Sequence, residues 1–408
     1  MTPNQAFNLS TRMKMLIMAT GMLFFFALAT QALTPLDDVL PEDAVSTIEC
    51  ECVESSPKAT PDEFAIQKGI YHYRVYIPAG YYETKATHFP CLFIASPGGN
   101  AGMGNVSQRM KDEKWIVIML VESKNGPNAP SIGNFLAAHD DAMQRLRIQN
   151  GLKYATGFSG GARSATTFTR FRPGFAGVIL QGAGFGYFES GPKRNVYIYD
   201  CLKTNKDMAV YAIFGKNDPN FTEVKRLKAD LAGYKYLEIE LFEGGHTGAP
   251  TECMNHAFDW LETQLLNNTS DPKIFEMVLM RRLDKALKIE AKHEKYLVLR
   301  DLSALRSKTG KSTGQNEAAQ IRQLSEELKK LSVDPEIQRE EMAEKAFRQV
   351  QAYEKNSGKQ KQSSSAKRGV ILQSLIVQYQ QVAKTYPDTA FGKQAQARAI
   401  SFQQEAGK

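Results

Sequence analysis

The sequence predicts an α/β fold, a mostly parallel sheet with helices on both faces, followed by a separate all-α helical domain. Three observations carry this. Short continuous apolar runs, Cys91–Ala95 and Trp115–Leu120 among them, alternate with segments whose apolar residues recur at helical spacing; strands that read so are buried on both faces, as in parallel sheets covered by helices. A glycine-rich turn, Gly157-Phe158-Ser159-Gly160-Gly161, joins an extended segment to a helical one. From Asp271-Pro272 onward glycine and aromatics thin out while Lys, Glu, Gln and Ala increase, a change that suits exposed helices. A chain of 408 residues has room for two folded units.

At the N-terminus, Arg12 and Lys14 precede an apolar run from Met15 to Leu28, with small residues at Ala27, Ala29 and Ala32. That is the order of a secretory signal peptide over residues 1–32, cleaved after Ala29 or Ala32, and it predicts a protein that is exported, periplasmic or secreted. The run is short against the roughly 20 residues a span needs, so no membrane span is expected after cleavage, an uncleaved anchor being the other reading. Export would let some of Cys50, Cys52, Cys91, Cys201 and Cys253 pair, with at least one left over. Cys91 begins an apolar strand and reads as a buried small hydrophobe. Cys201 and Cys253 fall outside the strands and are the first pair to consider for a bridge. Residues 33–62, rich in Pro, Asp, Glu and Ser without a sustained period, read as a surface lead-in. The formal charge of +7 is modest for this length. A Lys-rich helical surface accounts for it, and no nucleic-acid partner is expected.

The sheet domain is expected over 63–270. Tyr71–Ile77 alternates as a strand and ends at Pro78-Ala79-Gly80. After the two buried runs comes a helical stretch from Ile132 to Arg147, then the extended segment Leu152–Thr156 and a helix from Ala162 to Phe171. Further strands are predicted at Ala176–Gln181, Met208–Phe214 and Tyr236–Phe242, with an amphipathic closing helix from Cys253 to Leu266. In open parallel sheets, sites collect at the carboxyl ends of the strands.

Ser159 stands at one such end. A turn this tight brings backbone against backbone, so its neighbours must lack a Cβ. The helix that follows begins with N–H groups unpaired within it, and the Gly160 N–H is the natural donor to a negative charge developing at Ser159. A serine hydroxyl is a poor nucleophile until a base takes its proton, and an imidazole does this near neutral pH. His246, in the loop Glu243-Gly244-Gly245-His246-Thr247, follows one strand. Asp218, in Gly215-Lys216-Asn217-Asp218-Pro219, follows another and suits the carboxylate that fixes the imidazole tautomer. Each alone has a plain reading as a glycine turn, a turn-forming Asp-Pro or a loop histidine. Together, in the order Ser, Asp, His with each after a strand, they have the arrangement of α/β-hydrolases. His139, Asp140 and Asp141 fall on the helical stretch before the turn, and His256 and Asp259 on the closing helix. None of the five is expected to take part. His72 and His88 belong to no metal-spaced cluster, and neither a metal nor an organic cofactor is expected.

The run Thr156–Arg163, with Val178-Ile179-Leu180-Gln181-Gly182-Ala183-Gly184 and Gly215-Lys216-Asn217-Asp218, resembles secreted α/β-hydrolases of the serine esterase kind. Polyhydroxybutyrate-depolymerase-like, feruloyl-esterase-like and dienelactone-hydrolase-like proteins are of this kind. The resemblance covers roughly residues 65–268 and implies the α/β-hydrolase fold, with Ser159 as nucleophile, Asp218 as acid and His246 as base. The implied substrate is an ester, an acylated polysaccharide or a smaller one. Many members have His-Gly where this chain has Ser96-Pro97-Gly98-Gly99. Pro97 has no N–H to donate, so the second oxyanion donor falls to Gly98 or Gly99. Phe158, Phe185, Tyr187 and Phe188 either line an acyl or aryl pocket or pack. Arg163 either meets an anionic group or is structural. A peptidase of the prolyl-oligopeptidase type shares the triad order but usually carries a propeller domain for which this chain has no room. A hydrolase-fold scaffold that has lost activity is the reading from another class.

In the helical domain, 271–408, helices are expected near Ile274–Leu299, Ala318–Leu331 and Pro335–Tyr353. Leu372, Leu375, Ile376, Tyr379, Val382, Ala383 and Tyr386 form a helical stripe. Pro387-Asp388-Thr389 then turns into a helix with Ala395, Ala399 and Phe402, which resembles half of a tetratricopeptide-type hairpin. Lys355–Lys367 reads as a linker. Such an array is either a plain appendage or a platform for a protein or peptide partner.

Overall fold

The computed structural model describes residues 39–406 except 57–59, 61–64, 84, 191–192, 197, 310–314 and 359–364. Within 187–200, 308–320 and 358–368 it describes the backbone alone. The expected signal peptide, 1–32, lies outside the described residues. The chain divides into two compact units, one ending at Leu261 and one beginning at Glu262.

The first unit is built on an eight-stranded sheet of order β1-β2-β4-β3-β5-β6-β9-β10. The strands are β1 (Ala44–Cys52), β2 (Gly69–Ile77), β3 (Phe89–Ala95), β4 (Ile116–Leu120), β5 (Ile148–Phe158), β6 (Phe175–Gln181), β9 (Ala209–Gly215) and β10 (Leu237–Phe242). From β4 to β10 all neighbours are parallel, and β2 pairs antiparallel with both β1 and β4. That order, with its antiparallel strands at one end, is the α/β-hydrolase fold. A small hairpin, β7 (Tyr187–Ser190) and β8 (Lys193–Val196), lies outside the sheet. The residues of β3, β4 and β9 are buried throughout, as expected of strands covered on both faces. Helices fill the crossovers: α1 (Ser107–Asp112), α2 (Asn128–Arg145), α3 (Gly160–Phe171), α4 (Ile198–Thr204) and α5 (Thr222–Asp230); α6 (Thr251–Asn268) follows the last strand, and the division between the units falls within it.

The stretch read as a surface lead-in instead supplies β1, paired along its whole length with β2. Cys50 and Cys52 face inward while Glu49 and Glu51 face out. The alternation is there, but it rests on few apolar residues. The bridge first considered is also absent. Cys201, on α4, donates its thiol to the Thr166 carbonyl at 3.0 Å, and Cys253, on α6, is free, its thiol pushed up to about 11 by burial and by Glu240.

One buried polar cluster crosses the layer between α2 and the sheet. His139 is packed among Phe93, Phe135 and Phe175. Its Nε2 lies 2.9 Å from Lys153 Nζ and its Nδ1 2.7 Å from Asp140, which Arg172 grips in turn. An ammonium on one nitrogen and a carboxylate on the other require a neutral imidazole protonated at Nδ1. Burial lowers the His139 pKa to about 4 and that of Lys153 to about 8. The unfolded chain therefore takes up a proton on His139 before the folded chain does, and stability is lost as pH falls from about 6.5 towards 4, by on the order of 2 to 3 kcal/mol. Urea unfolding across that range should show a flatter acid limb in His139→Gln, whose amide can bond both partners. Equal slopes in the two proteins would discard this account.

The second unit is helical: α7 (Pro272–Leu287), α8 (Lys292–Thr309), α9 (Gln315–Ser332), α10 (Pro335–Gly358), α11 (Ser365–Thr385) and α12 (Ala390–Ala406). Pro272 opens α7 where its missing N–H costs nothing, and the Asp271 carboxylate caps the N–H groups of Lys273 and Ile274. The single helix expected over Ile274–Leu299 is two, α7 and α8. The expected linker shrinks, since α10 continues to Gly358 and α11 begins at Ser365. The anticipated stripe forms a core: Leu375, Ile376, Tyr379, Val382 and Ala383 pack with Ala395, Ala399 and Phe402. Among the described residues no helix is long and apolar enough to cross a membrane.

Candidate active site

The end of β5 is the first fixed point. Ser159 has φ 53° and ψ −120°, a conformation that costs a residue with a Cβ on the order of 1–3 kcal/mol and persists where neighbours over-determine it. They do so here. Its N–H donates to the Gln181 carbonyl at 2.8 Å, and its own carbonyl accepts from Ala162 N at 3.0 Å. A Cβ on Gly157 would stand 2.3 Å from the Gly161 carbonyl carbon, and one on Gly161 2.4 Å from the Ala95 carbonyl oxygen. Only glycine fits at either position, so the turn can take the serine up and out of the sheet.

The acid and base loops are bound to each other before either reaches the serine. Lys216 N–H donates to the Phe242 carbonyl at 3.0 Å and Asn217 N–H to the Gly244 carbonyl at 2.9 Å. Asp218 is 4% exposed, and its Oδ1 accepts from the Asn220 N–H at 2.7 Å. His246 Nδ1 lies 2.9 and 3.0 Å from the two Asp218 carboxylate oxygens, and its Nε2 lies 2.9 Å from Ser159 Oγ. A carboxylate only accepts, so Nδ1 carries the proton and Nε2 is left to accept from the serine hydroxyl. The three residues expected to meet are therefore in contact, over sequence separations of 28 and 87.

Several supports were not foreseen. The Gln181 side chain accepts from Ala249 N–H at 3.1 Å, and the Asn105 amide donates to the Ala249 carbonyl, which together fix the loop beyond His246. The Asn220 amide donates to the Gly182 carbonyl at 2.9 Å. Gly182 has φ 63°, and a Cβ there would stand 3.1 Å from Asp218 Oδ2 and 3.4 Å from His246 Nδ1. Only Asn220 had a local signal, an Asp-Pro-Asn turn.

The remaining expected residues divide. Gly160 opens α3, so its N–H has no partner within the helix. The Gly99 N–H closes a turn onto the Ser96 carbonyl at 3.2 Å, which removes it as an oxyanion donor, and the Gly98 N–H faces Ser96 Oγ at 3.4 Å. Phe158 packs its ring 4.7 Å from that of His246 and also lines a cleft. Phe185 is buried in the main core, a packing residue. Arg163 edges the site, but both ends of its guanidinium are held by Glu223, at 2.6 and 3.0 Å, and Glu223 also accepts from the Gly184 N–H. It pins α3 to α5. The side chains of Tyr187 and Phe188 lie outside the described residues. His139, Asp140, Asp141, His256 and Asp259 have their partners elsewhere: Lys153 and Arg172, Tyr73 and Arg145, Glu240, and Arg109.

Two clefts flank the serine turn. One, of about 470 Å³, is polar, with Lys124, Asn125, Asn128, Ser164 and Asn220 beside Ser159 and His246. The other, of about 390 Å³, is more apolar, with Ile94, Pro97, Met103, Val106 and Phe158. A further cleft of about 490 Å³ between β1 and α2 holds Glu49, Glu51, Asp140 and Arg145 and none of these three residues.

No protein-family model matches the sequence, and no curated protein does. Solved structures do resemble it. FphF, a fluorophosphonate-binding serine hydrolase of Staphylococcus aureus, is 14% identical over 53% of this chain and 98% of its own, with a TM-score of 0.38. An S-formylglutathione hydrolase from the same organism is 12% identical over 53% and 99%, at 0.39. The feruloyl esterase module from Clostridium thermocellum is 12% identical over 57% and 91%, at 0.37. Likeness at these scores carries no weight for the chemistry, which rests on the side chains.

Proposed function

We propose that this chain is a serine hydrolase that cleaves carboxylic esters through an acyl-enzyme. The observation that carries the reading is the pair of contacts at His246, 2.9 Å to Ser159 Oγ on one nitrogen and 2.9 Å to the Asp218 carboxylate on the other. In this reading His246 Nε2 takes the hydroxyl proton as Ser159 Oγ attacks the carbonyl carbon, and Asp218 stabilises the imidazolium. The Gly160 N–H meets the oxygen on which charge develops. His246 then returns the proton to the leaving alcohol, and water, activated by the same imidazole, releases the acid. The apolar cleft beside Phe158 suits a short acyl or aryl group, and the polar cleft suits the other side of the ester. An acylated polysaccharide or a smaller ester is the substrate class proposed. The signal-like order of residues 1–32 supports export.

The test is labelling with a fluorophosphonate probe alongside turnover of p-nitrophenyl acetate and butyrate, with cell fractions probed in parallel. Labelling and turnover by the folded protein are expected, in the exported fraction. A folded protein that does neither is no esterase, and label confined to the cytoplasm removes the export part.

A further inference from the structure

A tetrahedral oxyanion in acyl transfer is usually held by two donors, and the turn after β3 supplies its backbone poorly. Pro97 has no N–H, the Gly99 N–H is spent on the Ser96 carbonyl, and the Gly98 N–H is turned to Ser96 Oγ. Neither Gly98 nor Gly99 lines the clefts at the serine.

The neighbouring loop, after β4, puts a side chain there instead. A Cβ built on Gly160 would fall 1.6 Å from Asn125 Oδ1 and 3.2 Å from its Nδ2. Since a Cβ is one bond from its Cα, it is the Asn125 amide oxygen that is in van der Waals contact with the Gly160 Cα, with Nδ2 further out on the same amide; a half-turn about the Cβ–Cγ bond exchanges the two ends and brings the NH₂ to this position. Asn125 shares the polar cleft with Ser159 and His246. It also explains why position 160 is glycine, for any side chain would displace the amide.

The loop is held firmly enough to present a donor. Asn125 N–H donates to the Pro97 carbonyl at 2.8 Å. Buried Asn134 accepts from the N–H groups of Glu122 and Ser123 at 3.1 and 3.0 Å, and buried Ser131 bonds Lys124 on both its N–H and its carbonyl. Donors fixed in advance stabilise a transition state because they need no reorganisation as charge develops.

We infer that the Asn125 side-chain amide is the second oxyanion donor, an inference that rests on the ester-hydrolase reading above. It is a catalytic residue of a kind the sequence does not signal, because the amide comes from a different loop than the one the resemblance points to.

The test compares wild type, Asn125→Ala and Asn125→Asp, the last near in shape but without a donor at neutral pH. For p-nitrophenyl acetate, kcat should fall about 100-fold or more in Asn125→Ala with KM little changed, and at least as far in Asn125→Asp. Inhibition by a trifluoromethyl ketone, which forms a tetrahedral adduct, should weaken by a similar factor, whereas mere packing damage would not track it. If Asn125→Ala fails to fold, Asn125→Asp decides. An active wild type beside a folded variant within about threefold of its kcat overturns this inference alone and returns the role to the Gly98 N–H. A wild type that neither labels nor turns over ester overturns the esterase reading and this inference with it.

Discussion

Ser159→Ala is expected to lower ester turnover by about 10⁵- to 10⁶-fold and to abolish fluorophosphonate labelling, while leaving the fold intact. The loss is large because, among the described residues, the hydroxyl on His246 Nε2 is that of Ser159, at 2.9 Å. The fold is expected to survive because the backbone contacts that hold the turn, Ser159 N to the Gln181 carbonyl and Ala162 N to the Ser159 carbonyl, do not involve the side chain. Alanine keeps the strained φ of 53°, so thermal stability should move little. His246→Ala should cost about as much, and the double variant scarcely more, because the two act as a unit. Steady-state kinetics with circular dichroism reads all of this. A folded Ser159→Ala protein that still turns over ester at even a hundredth of the wild-type rate would place the nucleophile elsewhere.

Asp218→Asn is the second large effect, about 10⁴-fold in kcat with little change in KM. Asp218 accepts from His246 Nδ1 and from the Asn220 N–H together. An amide has one oxygen to meet both, and its NH₂ turned to the ring would favour the tautomer with the proton on Nε2. That nitrogen then cannot take the serine proton. The substitution removes a buried charge without changing shape, so the variant should fold and still bind substrate. A loss of tenfold or less would mean that the carboxylate merely packs.

The sheet and the meeting of Ser159, Asp218 and His246 were legible because parallel strands buried on both faces appear as unbroken apolar runs. Cys91–Ala95 and Val210–Phe214 could hardly be anything else, and those three residues sit in the loops such strands end in. β1 escaped because an edge strand needs only one inward face, and Cys50 and Cys52 are small. The division of α7 from α8 escaped because Lys288–Ala291 contains no proline or glycine. The rest depended on where groups point in space. Whether Arg163 faced substrate was decided by Glu223, 60 residues away. The fate of Gly99 was decided by which carbonyl its N–H reached. No local pattern records either.

The acidic outward residues of β1 bear on assembly. The other edge strand, β10, exposes a carboxylate of its own at Glu238, while Glu240 is held by Tyr211 and His256. Two copies meeting strand to strand, whether β1 on β1, β10 on β10 or one on the other, would bring carboxylates together along the new ladder, where like charges repel and water must leave both. The sheet that carries the site thus ends at both margins in residues that oppose its extension into a second molecule.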